Sequence, residues 1–315
     1  MKRFLTDIVF FLVLLFGIAC LGDFMVSRGI RKTTIRPFAV WNDIHNRNSL
    51  DNDLVIIGAS SCWAHYNPKI LDSLLRISTY NLGIDGHPWY PCQPLRYNTY
   101  VRYTHPPKYV VINIDMGTLG VLDEPYEREQ FFPFFWIDRT MIDEVKDCKR
   151  FTWMDLHCPM WRYIGYRKWI EVGIASFFGK ASFEDDGLYK GHRGNIYPWD
   201  RASLNMMDSV TISHEKATVD SLLHFIELRK SENQQVVLVK TPIYHELQSR
   251  FTNREYMGQL YDSIARVSDV RLFDYWDHPI VNDSTFFCNS THLNKRGADM
   301  ISAQLAQDLQ RLGIE

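Results

Sequence analysis

The stretch Leu54-Val-Ile-Ile-Gly-Ala-Ser60-Ser61 decides the fold. Four apolar residues in a row, without alternation and bounded by Asp53 and Gly58, predict a strand buried on both faces, as in a parallel sheet. Open α/β sheets place their chemistry in the crevice beyond the carboxyl ends of the strands. The small hydroxyl of Ser60 therefore stands where a nucleophile belongs. At the far end of the chain, Asn289-Ser-Thr-His292-Leu-Asn-Lys-Arg-Gly-Ala298 is a polar loop running into the last helix. A histidine arriving there can act as the base for Ser60.

Between these ends, strand and helix patterns alternate. A helix over 68–76 has proline in its first turn. A strand over 78–82 ends in Asn81-Leu-Gly-Ile-Asp-Gly86, and a helix over 93–103 leads through Pro106-Pro107 into a strand over 109–114. Further on come a helix over 213–229, a strand over 235–239 stopped by Thr241-Pro242, a helix over 253–267 and a strand over 270–273. A last helix over 295–312 carries apolar residues at Ala298, Ile301, Leu305 and Leu309. This alternation predicts the α/β class: a three-layer, flavodoxin-like, doubly wound parallel sheet of about five strands, with its switch point beside the first strand.

Two segments break the rhythm. Lys2 and Arg3 precede the apolar run 8–21, which continues to Val26 around Asp23. Its strictly apolar core is short for a spanning helix of about 20 residues. No A-x-A cleavage site follows, and Gly17-Ile-Ala-Cys20 lacks the aliphatic residue of a lipoprotein box. Residues 1–30 therefore read as an uncleaved signal-anchor, an N-terminal membrane helix. Lys2 and Arg3 on one flank stand against Arg28, Arg31, Lys32 and Arg36 on the other, so charge does not set the orientation. Residues 33–53 read as a linker packed on the surface of a domain spanning 31–315. The second break, about 120–212, is an aromatic-rich helical insertion or lid: Phe131-Phe-Pro-Phe-Phe-Trp136, Trp153, Trp161, Trp169, Trp199 and an amphipathic stretch 161–178. Its aromatics fit a sugar-stacking platform, a lid, a lipid-resting surface or simply a small core of their own.

Composition narrows the function. Of 315 residues, 46% are hydrophobic and 23% charged, which is globular. A net charge of −2, with no basic stripe, excludes a nucleic-acid footprint. The six cysteines (Cys20, Cys62, Cys92, Cys148, Cys158, Cys288) form no C-x-x-C pair and no zinc spacing, and nothing points to a metal or organic cofactor. They read as buried free thiols, although Cys148 and Cys158 could bridge.

The Gly-Ala-Ser60 turn, the Asn81–Gly86 turn and the Asn-Ser-Thr-His292 loop occur in the order, and at the strand ends, of the SGNH (GDSL-like) hydrolases. The chain resembles that family over most of 54–119 and 213–312, and within it the membrane-anchored bacterial branch associated with cell-surface polysaccharides. The resemblance implies that Ser60 is the nucleophile and His292 its base. It also implies that the backbone N–H groups of Ser60 and Gly86 form the oxyanion hole, each such donor contributing about 3–4 kcal/mol in well-studied enzymes.

Two departures stand out. The family's third oxyanion donor is an asparagine after the third strand, where this chain reads Ile114-Asp-Met-Gly-Thr118; Asn113 falls within the strand, and Asp115 would repel an oxyanion if ionised and turned inward. The family also has aspartate three residues before the histidine, where this chain has Asn289. An asparagine carbonyl still fixes the imidazole tautomer, but it offers no charge to the imidazolium, and that exchange costs about four orders of magnitude in a serine protease. Asp283 could substitute if its loop folds back.

Asp85 and His87 flank Gly86 as pocket residues, and His65 is placed to face substrate or solvent. Cys62 and Cys288 read as packing, and Lys190-Gly-His-Arg-Gly lacks the strand-to-helix context of a phosphate loop.

The expected activity is ester hydrolysis or acyl transfer through an acyl-serine, on a carbohydrate or other acyl-ester substrate, with O-acetyl groups of a surface polysaccharide foremost. The alternatives are a catalytically inactive glycan-binding or assembly module and a lipid esterase or thioesterase. The expected location is the bacterial inner membrane, with the catalytic domain on the periplasmic side. The sequence leaves the oligomeric state open.

Overall fold

In the computed structural model, Leu54–Ile57 is strand β1 of a five-stranded sheet. The others are Thr79–Asn81 (β2), Tyr109–Ile114 (β3), Gln235–Lys240 (β4) and Arg271–Asp274 (β5), in the order β2-β1-β3-β4-β5. Every pairing is parallel. All of β1 and β2 is buried, as are all residues of β3 and β4 after the first, whereas the edge strand β5 is partly exposed. The residues described are 2–46, 50–121, 126–146, 151–180, 187–205 and 208–315. The expected α/β architecture is thus the observed one.

β4 runs one residue beyond the apolar pattern, because Lys240 is tolerated inside. Its side chain is 3% exposed and its ammonium reaches Asp274 at 2.9 Å and Asp262 at 3.1 Å. Burying a lysine is costly unless it is paired, and here two carboxylates meet it.

The chain forms two compact units: Met1–Asn46 with Asp123–Asp185, and Arg47–Leu122 with Asp186–Glu315. The second contains the sheet. Its closing helix, Lys295–Gln310, packs on Pro68–Leu75 and Ser60–His65. The stripe Ala298, Ile301, Leu305 and Leu309 is fully buried there. Asn294 caps that helix by accepting the Gly297 N–H.

The first unit is built around one long helix, Lys2–Ile30. Its side chains from Phe4 to Ile18 stand exposed, and the helix is long and apolar enough to cross a membrane, with a mean hydropathy of 2.6 over its most apolar window. Its last turns are buried instead, against Arg167–Phe177. The two helices meet backbone to backbone: a Cβ on Gly29 would lie 1.7 Å from the Gly173 carbonyl oxygen, and one on Gly173 would lie 2.5 Å from that of Val26.

Residues 33–46 are not a surface linker. Ala39–Asn46 is a helix, and Phe38 and Trp41 are fully buried. Phe38 packs edge-on against Trp169 at 4.8 Å, and Trp41 lies 5.6 Å from Phe131. Phe131, Phe132, Phe134 and Phe135 are likewise buried, so most of these aromatics build the core of this unit.

The glycine contact sets a test. Gly29→Ala should destabilise the first unit by about 1–3 kcal/mol, the usual cost of overpacking. Gly17→Ala, with nothing within 4 Å of its Cβ, should be neutral. Thermal unfolding of the full chain in detergent micelles reads the difference, and equal melting of the two variants would refute the close crossing.

Candidate functional site

The ends of four neighbouring strands converge on one cavity of about 330 Å³ in the sheet unit. Ala59 and Ser60 follow β1, Gly86 and His87 follow β2, Asp115 and Gly117 follow β3, and Thr241 follows β4. Thr291 and His292 close the wall. The crevice therefore lies beyond the carboxyl edge of the sheet, where the doubly wound topology leaves room.

Ser60 is the first residue of the short helix Ser60–His65. The cap position is Ala59, which makes no side-chain bond. The Ser60 hydroxyl is thus not spent on capping. It is half-buried and bonds to His292, with Oγ and Nε2 2.8 Å apart.

The direction of that bond follows from the other side of the ring. Asn289 Oδ1 accepts the backbone N–H groups of Thr291 at 3.0 Å and His292 at 2.8 Å. Only an oxygen can take those donors, so the amide orientation is fixed. The same oxygen lies 3.1 Å from His292 Nδ1, which must then carry the proton. Nε2 is left with its lone pair toward Ser60, so the hydroxyl donates to the imidazole.

His65 is a correction to the sequence reading. It faces neither substrate nor solvent; it is fully buried. Its Nε2 accepts the Leu293 N–H at 3.0 Å, and its Nδ1–H donates to Thr241 Oγ1 at 2.6 Å. The residue after His292 is thereby tied to the helix that begins at Ser60. Burial pushes the His65 pKa well below 6.5, with the nearby His292 acting in the same direction. Trp63 stacks on the His292 ring at 6.3 Å, and its carbonyl accepts the His192 Nδ1–H at 2.7 Å. Burial lowers the His192 pKa to about 4.

Ser61 points elsewhere. It donates to Asp115 Oδ2 at 2.7 Å and accepts from Asn113 Nδ2 at 2.8 Å. Gly58 makes room for that asparagine, since a Cβ there would lie 2.8 Å from the Asn113 Cβ. The other Asp115 oxygen accepts from the Gly117 N–H at 2.9 Å and the Thr118 hydroxyl at 3.0 Å. Asp115 therefore lines the cavity while its carboxylate holds the β3 turn together.

Gly86 lines the cavity at φ +64°, a conformation that favours glycine. His87 is buried in the cavity wall; Asp85 is half-exposed in the same turn and is not among the residues lining it. Asp283 is exposed and does not reach the imidazole's neighbourhood as a substitute carboxylate. It caps the turn Ser284–Phe286 by accepting the Thr285 N–H at 2.9 Å, and its bonds to Thr285 hold its pKa below the usual value. Cys62 and Cys288 are buried thiols whose pKa values burial raises, consistent with packing. Cys20 and Cys158 are also free thiols, while Cys148 lies outside the described residues. Among the described residues, no cluster of three or more His, Cys, Asp or Glu side chains could hold a metal.

His65, Trp63, Thr241 and the Asn113–Ser61–Asp115 chain are the parts that sequence reasoning missed. Thr241 carried a usable signal, since it follows β4 at the same edge as Ser60.

No family model matches this sequence, and no curated protein matches it. Among solved structures, a candidate acylhydrolase from Bacteroides fragilis is similar at 13% identity and a TM-score of 0.41, over 84% of this chain and 89% of that one. A likeness this loose carries no argument about chemistry.

The two buried histidines predict a pH effect. Both are neutral when folded, while in the unfolded chain they titrate near the ordinary value of 6.5. Below that pH the unfolded state binds more protons, so stability present at neutral pH is lost as pH falls, by up to about 1.4 kcal/mol per pH unit for each histidine. Urea midpoints between pH 7 and pH 5 should show the slope. His65→Gln, which keeps an acceptor for Leu293, should reduce it; an unchanged slope would remove His65 from the account.

Proposed function

We propose that this chain is a serine ester hydrolase or acyltransferase of the SGNH type, acting on O-acetyl groups of a cell-surface polysaccharide. The observation that carries the reading is the Ser60–His292 hydrogen bond of 2.8 Å, with the imidazole tautomer set by Asn289.

In this reading Ser60 Oγ attacks the ester carbonyl carbon as His292 Nε2 takes its proton. The oxyanion is held by the N–H groups of Ser60 and Gly86. Collapse expels the sugar hydroxyl, which takes the proton back from His292 and leaves an acyl-serine. Water or a second hydroxyl then attacks that ester, with His292 again as base; which of the two enters decides between hydrolysis and transfer. The Lys2–Ile30 helix anchors the protein in the inner membrane, with the sheet unit on the periplasmic side. The proposal needs no cofactor.

A second reading, an inactive glycan-binding or assembly module, draws its support from Asn289. Its amide cannot balance the imidazolium charge that forms during attack.

Three variants separate the two. With p-nitrophenyl acetate and a fluorophosphonate serine probe, Ser60→Ala should abolish both turnover and labelling, whereas Ser61→Ala should retain labelling. Asn289→Asp should raise kcat/KM roughly 10–100-fold, because a carboxylate keeps every bond that Oδ1 accepts and adds the missing charge. Absence of Ser60 labelling in both the parent and Asn289→Asp would leave the binding-module reading. For topology, a reporter fused to the C-terminus should be active only in the periplasm; a cytoplasmic signal would overturn the surface-polysaccharide assignment.

A further inference from the structure

The helix as a whole is long and apolar enough to cross a bilayer, but its uninterrupted apolar run is shorter: Ile8 to Gly22 rises roughly 22 Å, against a hydrocarbon core of about 30 Å. Asp23 should end it. Yet Asp23 is 1% exposed, because the first unit encloses it. Its carboxylate accepts from Arg162 Nε at 3.1 Å, from the Met160 N–H at 2.8 Å and from the Ser27 hydroxyl at 3.1 Å. The charge is paired inside the protein, and what faces outward at this level is Leu21 and Phe24.

Around this level the first unit presents large apolar side chains to the outside. Trp136, Ile137, Trp161 and Phe178 are 42–58% exposed. Contacts fix their level on the helix: Met160, beside Trp161, reaches the Gly22 position, and Phe177, beside Phe178, meets the Phe24 ring at 6.1 Å. Trp136 and Ile137 form one wall of a cavity of about 280 Å³ whose other walls are Cys20, Phe24, Ser27 and Arg31. Cations lie over several of these rings, Arg139 over Trp136 and Arg28 over Phe24. Tryptophan beside arginine, at the point where an apolar helix ends, is the composition of a membrane–water interface.

Resting on the reading that the helix spans a membrane, we propose that this collar is immersed in the bilayer interface and that its cavity takes up a lipid acyl chain. Immersion supplies the depth the helix lacks, relieving the mismatch between its apolar length and the hydrocarbon core. A bilayer acyl chain is the occupant that the helix itself delivers to the cavity wall at Cys20 and Phe24.

The test uses the full chain reconstituted in phosphatidylcholine vesicles whose acyl chains carry a photoactivatable diazirine, with labelled positions read by mass spectrometry. Label is expected on residues 4–21 and also on Trp136 and Ile137. Ile137→Arg, at an exposed position, should lower labelling of Trp136 roughly tenfold while leaving 4–21 unchanged. Label confined to 4–21 would overturn the immersed collar while leaving the anchor standing. Label on neither segment would overturn both.

Discussion

One hydrogen bond holds the site in register, from the Leu293 backbone N–H to the His65 imidazole Nε2. It joins residues 228 apart in sequence, one beside His292 and the other at the end of the helix that starts with Ser60. A loop carrying a base is ordinarily the mobile part of a site. Here the loop carrying His292 is fastened to the helix that begins with Ser60, so the distance between the two residues is set by a buried anchor. The anchor works only while His65 is neutral, because a protonated Nε2 donates and would oppose the Leu293 N–H. Burial secures that neutrality, and it also keeps a positive charge on His65 away from the His292 ring.

How much of this was legible follows from what a linear pattern records. Unbroken apolar runs at 54–57, 109–112 and 236–239 are best satisfied by burial on both faces, so the parallel sheet could be read directly. That Ser60 would stand at the carboxyl edge, beside the cavity that His292 also lines, could be read because it follows β1. His65 could not: a histidine five residues past a serine has no signature that distinguishes a buried strut from a pocket residue. Phe38 and Trp41 were misplaced for a related reason. Their partners, Trp169 and Phe131, lie in a segment about 90 to 130 residues away, and periodicity within 33–46 carries no trace of that pairing. Lys240 and Asp23 show the limit most plainly. A charge interrupts an apolar pattern, yet each is buried because counter-charges arrive from distant residues.

Asn289 concentrates the tension between architecture and chemistry. Its Oδ1 accepts from two backbone N–H groups, the Thr291 hydroxyl and the His292 ring, so one atom folds the loop and sets the tautomer. A carboxylate at this place could accept all of these bonds, and its second oxygen would bring charge to the half-buried wall beside His292. The structural task therefore does not require asparagine. On the proposed reading, what asparagine removes is the electrostatic support of the imidazolium, which would matter only during attack. With the hydroxyl uncapped, the imidazole oriented and the crevice open, Ser60 and His292 stand as the proposed acyl transfer needs them, with an amide rather than a carboxylate on Nδ1. On the proposed reading the missing charge slows acylation and deacylation alike, since His292 becomes an imidazolium in both, so whether water or a second hydroxyl takes the acyl group rests on which of them the crevice admits.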